Sequence, residues 1–184
     1  MQKKLLSAKQ VKSLSKLLED KPRDRALFHA GIDSMLRSSD LRQLRVEDVV
    51  DSMGFVREEC SINQQKTKRT VTFTLSATTR GAIQDWITTS GKRGEDYLFS
   101  SRTKRYNRIE LGQQPISQIQ YQRLVKSWME LLGLAADDYS THSLRKTKAS
   151  AIYDATKNVE AVRQLLGHSS VAATSHYLGV EQAK

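Results

Sequence analysis

Cysteine is nearly absent from this chain of 184 residues, in which Cys60 is the only one. An internal disulfide and a cysteine-rich zinc cluster are therefore excluded, and the composition fits a reducing cytosol. Cys60 follows two acidic residues, Glu58 and Glu59, which disfavour a thiolate. We interpret Cys60 as a half-buried strand residue and not as a nucleophile.

Proline and glycine are also scarce, at two and nine residues. No stretch has the composition of a flexible or proline-rich linker, so residues 1–184 are expected to form one domain. The chain lacks an apolar run long enough to span a bilayer, and its first residues lack the apolar core of a secretory signal.

Acidic residues are outnumbered, since 20 Asp and Glu stand against 30 Lys and Arg, a formal net charge of +10. A positive field of this size favours polyanionic partners. Nucleic acid is the first candidate and an anionic membrane surface is the second, although many solvated proteins carry a basic surface without either partner. RNA is less favoured because no aromatic platform for unstacked bases is visible.

Most of the chain has the apolar spacing and the caps of short amphipathic helices. Ser7 can cap the first helix, Pro22 fits the first turn of the second, and Gly167 can end a late helix in the left-handed conformation. The predicted helices begin near Ser7, Pro22 and Ser38 and then cover residues 78–89, 116–132, 142–153, 159–166 and 171–178.

Two stretches are typical of β-strands. Phe55–Gln64 is rich in β-formers, and Thr70–Leu75 alternates with a period of two. The polar, cationic segment Gln65–Arg69 between them predicts a turn. The expected fold class is therefore mainly α with a small antiparallel β-sheet, an α+β domain.

The segment 91–114 is predicted to be mostly loop, because it contains three of the nine glycines and a basic cluster. Two readings of its basic cluster stay open, contact with phosphates or a solvated surface. The cluster consists of Arg102, Lys104, Arg105 and Arg108, with Tyr106 inside it.

Four residues near the C-terminus carry imidazole, guanidinium and phenol groups on short spacings. His142 and Arg145 are three residues apart, so on a helix they share a face. His168 follows the predicted helix end, and Tyr177 stands nine residues after His168. A phenol can attack phosphorus and form a covalent intermediate, and fixed cations can neutralise the charge of the phosphoryl transition state.

Each of these residues also has an ordinary structural explanation. His142 can cap a helix beside a surface arginine, His168 can bind carbonyls at a helix end, and Tyr177 can bury its ring while its hydroxyl stays in water. A phenol whose pKa is about 10 also needs a base and nearby positive charge to attack at neutral pH.

Two further cations stand where they can reach a bound strand. Arg37 lies at the break between two predicted helices, where it either points into a cleft or pairs with Asp40 or Glu47. Lys66 lies in the predicted hairpin turn, where it either reaches over a bound strand or is solvated.

Taken together, these residues form an ordered series that resembles the signature of the tyrosine recombinases, the phage integrase family. The resemblance extends from about Leu6 to Val180 and is densest in the second half. The matching segments are Leu36–Leu41, Gln65–Thr67, His142–Arg145, Leu166–His168 and Tyr177. Lys68 lies close to Lys66, so the lysine assignment is the loosest of the series.

The resemblance implies an enzyme that cuts and rejoins DNA without metal, ATP or another cofactor. Tyr177 would attack a phosphodiester, form a 3′-phosphotyrosyl bond and release a 5′-hydroxyl. Arg37 and Arg145 would hold the non-bridging oxygens, for which a planar guanidinium is well shaped. Lys66 would protonate the leaving oxygen.

The same resemblance gives the two histidines supporting roles, His142 as a base toward the tyrosine and His168 as a hydrogen-bond partner of the phosphate. It also implies double-stranded DNA as the partner, self-association on DNA as a synaptic tetramer, and a bacterial or phage-derived protein of the cytoplasm that is associated with the nucleoid. The alternatives are a type IB topoisomerase, which reseals the same strand, and a non-catalytic basic DNA-binding regulator.

Two departures from the family pattern are visible. The first predicted helix begins almost at Met1, so no separate N-terminal core-binding domain is expected in residues 1–184. Only seven residues follow Tyr177, whereas many family members use a longer tail to contact a neighbouring protomer.

Overall fold

The computed structural model describes residues 3–101 and 114–179, and the basic cluster around Tyr106 lies outside these ranges. The described chain folds as a mainly helical domain with one small sheet, which confirms the predicted fold class. Its helices are α1 (Ala8–Leu17), α2 (Pro22–Asp33), α3 (Ser38–Arg42), α4 (Val46–Val49), α5 (Ala77–Ser90), α6 (Gln118–Leu131), α7 (Thr141–Thr156), α8 (Val159–Leu166) and α9 (Val171–Leu178), with a 3₁₀ turn at Ala136–Asp138.

Several helices begin and end where the sequence predicts, because the local capping chemistry is strong. Ser7 forms a reciprocal capping box with Gln10 at the start of α1. Gly167 ends α8 with φ 73°, a left-handed conformation that glycine adopts without strain. Helix α7 runs three residues beyond its predicted end, to a left-handed Lys157.

The sheet consists of β1 (Glu59–Asn63) and β2 (Thr70–Thr74), which pair antiparallel with Cys60 opposite Phe73. The alternation of β2 is confirmed, since Val71 and Phe73 are buried and their neighbours are exposed. Cys60 is only 2% exposed, so the prediction of a half-buried cysteine was wrong. It faces the core beside Phe73, and this burial raises the pKa of its thiol to about 11.

The predicted first strand was too long, because its first four residues are not in the ladder. Asp51 folds this stretch into a turn, since its carboxylate accepts from the backbone N–H groups of Met53 and Phe55. Gly54 permits the turn with φ 86°. Helix α4, which lies just before this turn, was not predicted; at four residues it is too short to show a period.

Two groups of buried side chains hold the domain together. The larger one lies among α2, α5 and α6, where the rings of Phe28 and Trp128 meet edge to face at 5.8 Å. The smaller one contains Met35, Ala149, Val162 and Leu166, and Tyr177 packs against it. The smaller core therefore fixes α7, α8 and α9 against the segment that precedes α3.

Within residues 3–101 and 114–179, no helix is both long enough and apolar enough to cross a bilayer.

Candidate active site

Arg145 lies at the centre of the predicted site and is held there by main-chain carbonyls. Its Nε donates to the carbonyl oxygen of Met35 at 2.9 Å, and its Nη2 donates to that of Leu166 at 3.3 Å. The side chain is 6% exposed. Both carbonyls lie just beyond or at the end of a helix, where carbonyl groups lack intrahelical partners. The guanidinium is thus fixed in position and keeps donors free for an anion.

Tyr177 lies directly against this guanidinium. The Cζ atom of Arg145 is 5.3 Å from the centroid of the Tyr177 ring, within the range of a cation–π contact. The hydroxyl of Tyr177 is buried and has no hydrogen-bond partner among the described residues. Burial raises the pKa of Tyr177 to about 12, although the charge of Arg145 acts in the opposite direction.

His168 completes this cluster from the loop between α8 and α9. Its ring meets the Tyr177 ring edge to face, with centroids 5.3 Å apart. Its Nδ1 lies 2.9 Å from the hydroxyl oxygen of Thr174, which fixes the orientation of the imidazole. Burial, followed by the charges of Arg145 and Arg37, lowers the pKa of His168 to about 4, so the ring is neutral at pH 7.

His142 stands one turn before Arg145 on α7 and is exposed at its surface. Partial desolvation of the ring, followed by the charges of Arg145 and Lys146, lowers the pKa of His142. A neutral imidazole at this position can accept a proton. No described contact joins His142 to Tyr177, so the base and the phenol are not yet in hydrogen-bonding range.

Arg37 lies at the N-cap of α3 and is half-buried. Burial is the main cause that lowers the pKa of Arg145 and His168, and the positive charge of Arg37 lowers both further, which places Arg37 in the same electrostatic environment. Its Nη1 is buried and donates no hydrogen bond within the described part of the chain. A buried donor of this kind is uncommon in folded proteins, and a bound anion would satisfy it.

Lys66 lies in the turn between β1 and β2 and is exposed. Its ammonium contacts none of the other five predicted residues within the described ranges. The turn itself is tied to the site at two points. The backbone N–H of Gln65 donates to the carboxylate of Asp40 at 2.9 Å, and the side chain of Gln64 donates to the carbonyl of Leu166 at 3.3 Å.

Four residues of the site were not predicted from the sequence. Asp40 and Gln64 are almost fully buried and hold the lysine turn, Thr174 orients His168, and Lys146 contacts Tyr177. Gln64 and Thr174 are polar residues at positions that the apolar pattern of their strand or helix would place in the core. That mismatch is the sequence signal that could have identified them. Asp40 and Lys146 lie inside the matching motifs or directly beside them, so their position alone marks them for inspection.

Taken together, the structure brings Arg37, Arg145, His168 and Tyr177 into one cluster, with His142 at its edge and Lys66 on a tethered turn. The cluster offers guanidinium donors for an anion, neutral imidazoles for proton transfer and a phenol. This is the chemistry of phosphoryl transfer to a tyrosine.

Comparison with known proteins decides the family. The sequence profile described as "Phage integrase family" matches residues 4–184. The chain belongs to the phage integrase family. This family consists of tyrosine recombinases, enzymes that break and rejoin DNA strands, and membership confirms the resemblance and the enzyme class predicted from the sequence. The topoisomerase and regulator alternatives are not favoured by it.

Two curated relatives show the extent of the similarity. The "Probable integrase/recombinase YoeC" of Bacillus subtilis (strain 168) is 31% identical over 167 residues, which are 90% of this chain and 82% of the relative. The "Tyrosine recombinase XerC" of Vibrio atlanticus (strain LGP32) is 28% identical over 180 residues, which are 95% of this chain and 53% of the relative. The chain therefore spans most of YoeC but about half of XerC.

Solved structures share the fold. The crystal structure of XerA recombinase superimposes with a TM-score of 0.75 at 20% identity, over 99% of this chain and 62% of that one. A lambda integrase dimer bound to a COC′ core site gives a TM-score of 0.68 at 20% identity, over 100% of this chain and 51% of that one.

Proposed function

We propose that this chain cuts and rejoins double-stranded DNA through a covalent bond between Tyr177 and a 3′-phosphate. The contact of the fixed Arg145 guanidinium with the Tyr177 ring, at 5.3 Å, carries the proposal. A cation that binds a phosphate at this position also places that phosphate beside the phenol. Proximity of this kind converts a bimolecular attack into an intramolecular one.

The proposed reaction exchanges one phosphodiester for another. The phenol oxygen of Tyr177 forms a bond to phosphorus while the bond from phosphorus to the 5′-oxygen breaks. His142 accepts the phenol proton, and Lys66 gives a proton to the leaving 5′-oxygen. A 5′-hydroxyl of another strand then attacks the phosphotyrosine in the reverse sense, so the bond energy is conserved and neither ATP nor metal is consumed.

Arg37, Arg145 and His168 supply the charge stabilisation in this proposal. The unpartnered Nη1 of Arg37 and the fixed guanidinium of Arg145 offer donors to the non-bridging oxygens. Preorganised donors need no rearrangement as charge develops, and loss of one such contact typically costs about 2.7–4 kcal/mol in the barrier. In the tautomer whose Nδ1 accepts from the Thr174 hydroxyl, the neutral His168 ring donates a hydrogen bond from its other nitrogen, Nε2.

Covalent trapping tests the proposal. The probe is a duplex from the DNA that flanks the gene, nicked near the cleavage position so that the cut strand diffuses away and cannot be rejoined. The wild-type chain becomes attached to DNA, and peptide mass mapping locates the adduct on Tyr177. Tyr177→Phe binds the same duplex without forming an adduct. Binding by both proteins with no adduct in either would support a regulator and overturn the enzyme.

The remaining family expectations are extensions of this proposal. We propose that residues 1–184 act as a catalytic domain and that copies assemble on DNA as a synaptic tetramer, because strand exchange needs two cleaved duplexes. Because its substrate would be the DNA of the bacterial nucleoid, we propose that the protein acts in the cytoplasm. Recombinant products, in contrast to relaxed supercoils, separate this function from that of a topoisomerase.

A further inference from the structure

Lys146 makes a contact that the reaction proposed above does not use. Its Nζ lies 5.0 Å from the centroid of the Tyr177 ring. The preceding residue, Arg145, contacts the same ring, so two neighbouring cations of α7 hold one phenol. Consecutive residues of a helix point in different directions, yet both of these side chains reach the same ring.

The two cations differ in how they are held. Arg145 is buried and donates to two backbone carbonyls. Lys146 is half-exposed and has no described hydrogen bond or ion pair within residues 3–101 and 114–179. The aromatic ring is the one direct contact that the structure describes for its ammonium, whose charge also acts at longer range on His142. A lysine on a flexible stem exchanges such a contact readily for an anion.

The phenol oxygen of Tyr177 has no proton acceptor among the residues that the structure describes, although its ring lies beside the Arg145 guanidinium. Its hydroxyl is buried and has no partner within the described residues, so neither a base nor a solvent molecule receives its proton. Burial of the phenol also raises the pKa of Tyr177 to about 12. The phenol oxygen must therefore reach a proton acceptor before it attacks, and the contacts of its ring oppose that movement.

We propose that Lys146 is a positioning residue that retains the Tyr177 ring in the free protein and is drawn away by the phosphate of bound DNA, which releases the phenol. The proposal rests on Tyr177 as the nucleophile. An anion held by Arg37 and Arg145 lies beside the Tyr177 ring, and an ion pair with it is stronger for Lys146 than a ring contact. The arrival of substrate is thereby coupled to exposure of the nucleophile.

The retention step is tested in the absence of DNA. Tyrosine nitration by tetranitromethane reports the exposure of each phenol, and peptide mass mapping resolves Tyr177 from the other tyrosines. We expect Tyr177 to be nitrated roughly two- to thirtyfold faster in Lys146→Met than in the wild type, the range that a lost cation–π contact gives. Lys146→Arg retains the cation and should restore the wild-type rate. Equal rates in Lys146→Met and wild type would overturn retention.

The chain offers a matched control for this substitution. Lys157 lies 5.3 Å from the ring centroid of Tyr153, the same kind of contact at the far end of α7. Lys157→Met removes one charge, one lysine–tyrosine contact and an exposed ion pair with Asp154 at 3.9 Å. It should accelerate nitration of Tyr153 and leave that of Tyr177 unchanged. Faster nitration of Tyr177 in this control would mean general loosening of the fold and would count against a specific role of Lys146.

The exchange step is tested by the salt dependence of DNA binding to a short duplex. One lost phosphate contact lowers the slope of log K against log salt by about 0.9. Lys146→Met should show this change and Lys146→Arg should not; an unchanged slope in Lys146→Met would overturn the exchange. The nitration and DNA-binding assays do not require cleavage. A negative result in them counts against the role of Lys146, whereas a negative result in the covalent-trapping assay counts against Tyr177 as the nucleophile.

Discussion

The side chain of Arg145 donates to the carbonyl oxygen of Met35 at 2.9 Å, and Met35 holds a left-handed backbone conformation with φ 54°. This conformation is uncommon for residues other than glycine, and it costs roughly 1–2 kcal/mol. The side chain of Met35 is 3% exposed and packs in the smaller core. Packing therefore offsets local strain at a residue that orients the arginine of the site.

Substitution of Met35 by two isomers separates packing from backbone strain. Met35→Leu retains the volume and should cost less than about 1.5 kcal/mol of unfolding free energy. Met35→Ile has the same volume but is β-branched, which the left-handed region tolerates poorly, so it should cost at least about 1 kcal/mol more. Chemical denaturation measures both. Equal losses would show that Met35 is not strained.

Gly167 and Gly133 form a second matched pair. Both have positive φ, at 73° and 72°. A Cβ atom on Gly133 would meet nothing within 4 Å, whereas one on Gly167 would lie 2.9 Å from Oε1 of the buried Gln64. Gly133→Ala should therefore cost about 1 kcal/mol and Gly167→Ala at least about 1 kcal/mol more.

The same pair has different consequences for DNA cleavage. Gly167→Ala should slow adduct formation at temperatures where the protein stays folded, because His168 follows Gly167 directly and Gln64 holds the lysine turn. Gly133 lies outside the site, so the Gly133→Ala variant should cleave DNA at the wild-type rate. A similar slowing in both variants would contradict this explanation.

Thr174 provides a test of how His168 is oriented. The hydroxyl of Thr174 is its partner at 2.9 Å, and Thr174 is fully buried. Thr174→Val retains the shape but loses the hydrogen bond, so covalent adduct should form roughly fivefold more slowly, as expected for about 1 kcal/mol. Thr174→Ser retains the hydroxyl and should cleave faster than the valine variant. The rates are read from the trapping assay at saturating DNA.

The choice between Lys66 and Lys68 as general acid is open to a chemical test. Lys66→Met should slow cleavage by about a hundredfold or more, the range of general acid catalysis. A duplex with sulfur in place of the leaving 5′-oxygen needs no proton donor, so it should restore the rate of this variant. Lys68→Met should behave as wild type on both duplexes. If Lys68→Met is slow on the normal duplex and only this variant is restored by the sulfur-substituted duplex, Lys68 and not Lys66 is the general acid.

His29 predicts a loss of stability in mild acid. Its Nε2 pairs with the hydroxyl of Ser15 at 2.7 Å, and burial, followed by the charge of Arg25, lowers its pKa to about 4. Between about pH 6.5 and pH 4 the imidazole of His29 is protonated in the unfolded chain and neutral in the folded chain. The unfolding free energy therefore falls as the pH is lowered through this interval.

This group alone should remove about 2 kcal/mol between pH 7 and pH 5. His29→Gln can retain a hydrogen bond to Ser15 and has no proton to gain, so its stability should fall less over the same interval. Denaturation at both pH values measures the difference between the two proteins. Parallel losses would show that His29 is not the responsible group.

Much of the site is visible in the sequence because its groups come from distinctive residue types at fixed spacings. Gly167 predicted a helix end beside His168, and the period of α7 placed His142 and Arg145 on one face. The hydrogen-bond acceptors of Arg145 could not be predicted from the sequence, because they are the main-chain oxygens of Met35 and Leu166, which any residue type supplies. Their position depends on how α2 and α8 pack, which local patterns do not contain.

The residues just before β1 show a case in which the sequence pattern gave a wrong prediction of secondary structure. Phe55 has a high strand propensity, yet it is 62% exposed in a turn that the carboxylate of Asp51 organises. A side chain that bonds to backbone two and four residues ahead competes with strand pairing. Propensity alone does not detect this competition, so the predicted strand began too early.

The carbonyl oxygen of Leu166 receives both Arg145 and Gln64, each at 3.3 Å. The hairpin and the arginine thus share a single anchor at the last residue of α8. Chimeras that graft the hairpin of one relative onto another should therefore take α8 from the same parent, since exchange of either piece alone would leave the other misaligned.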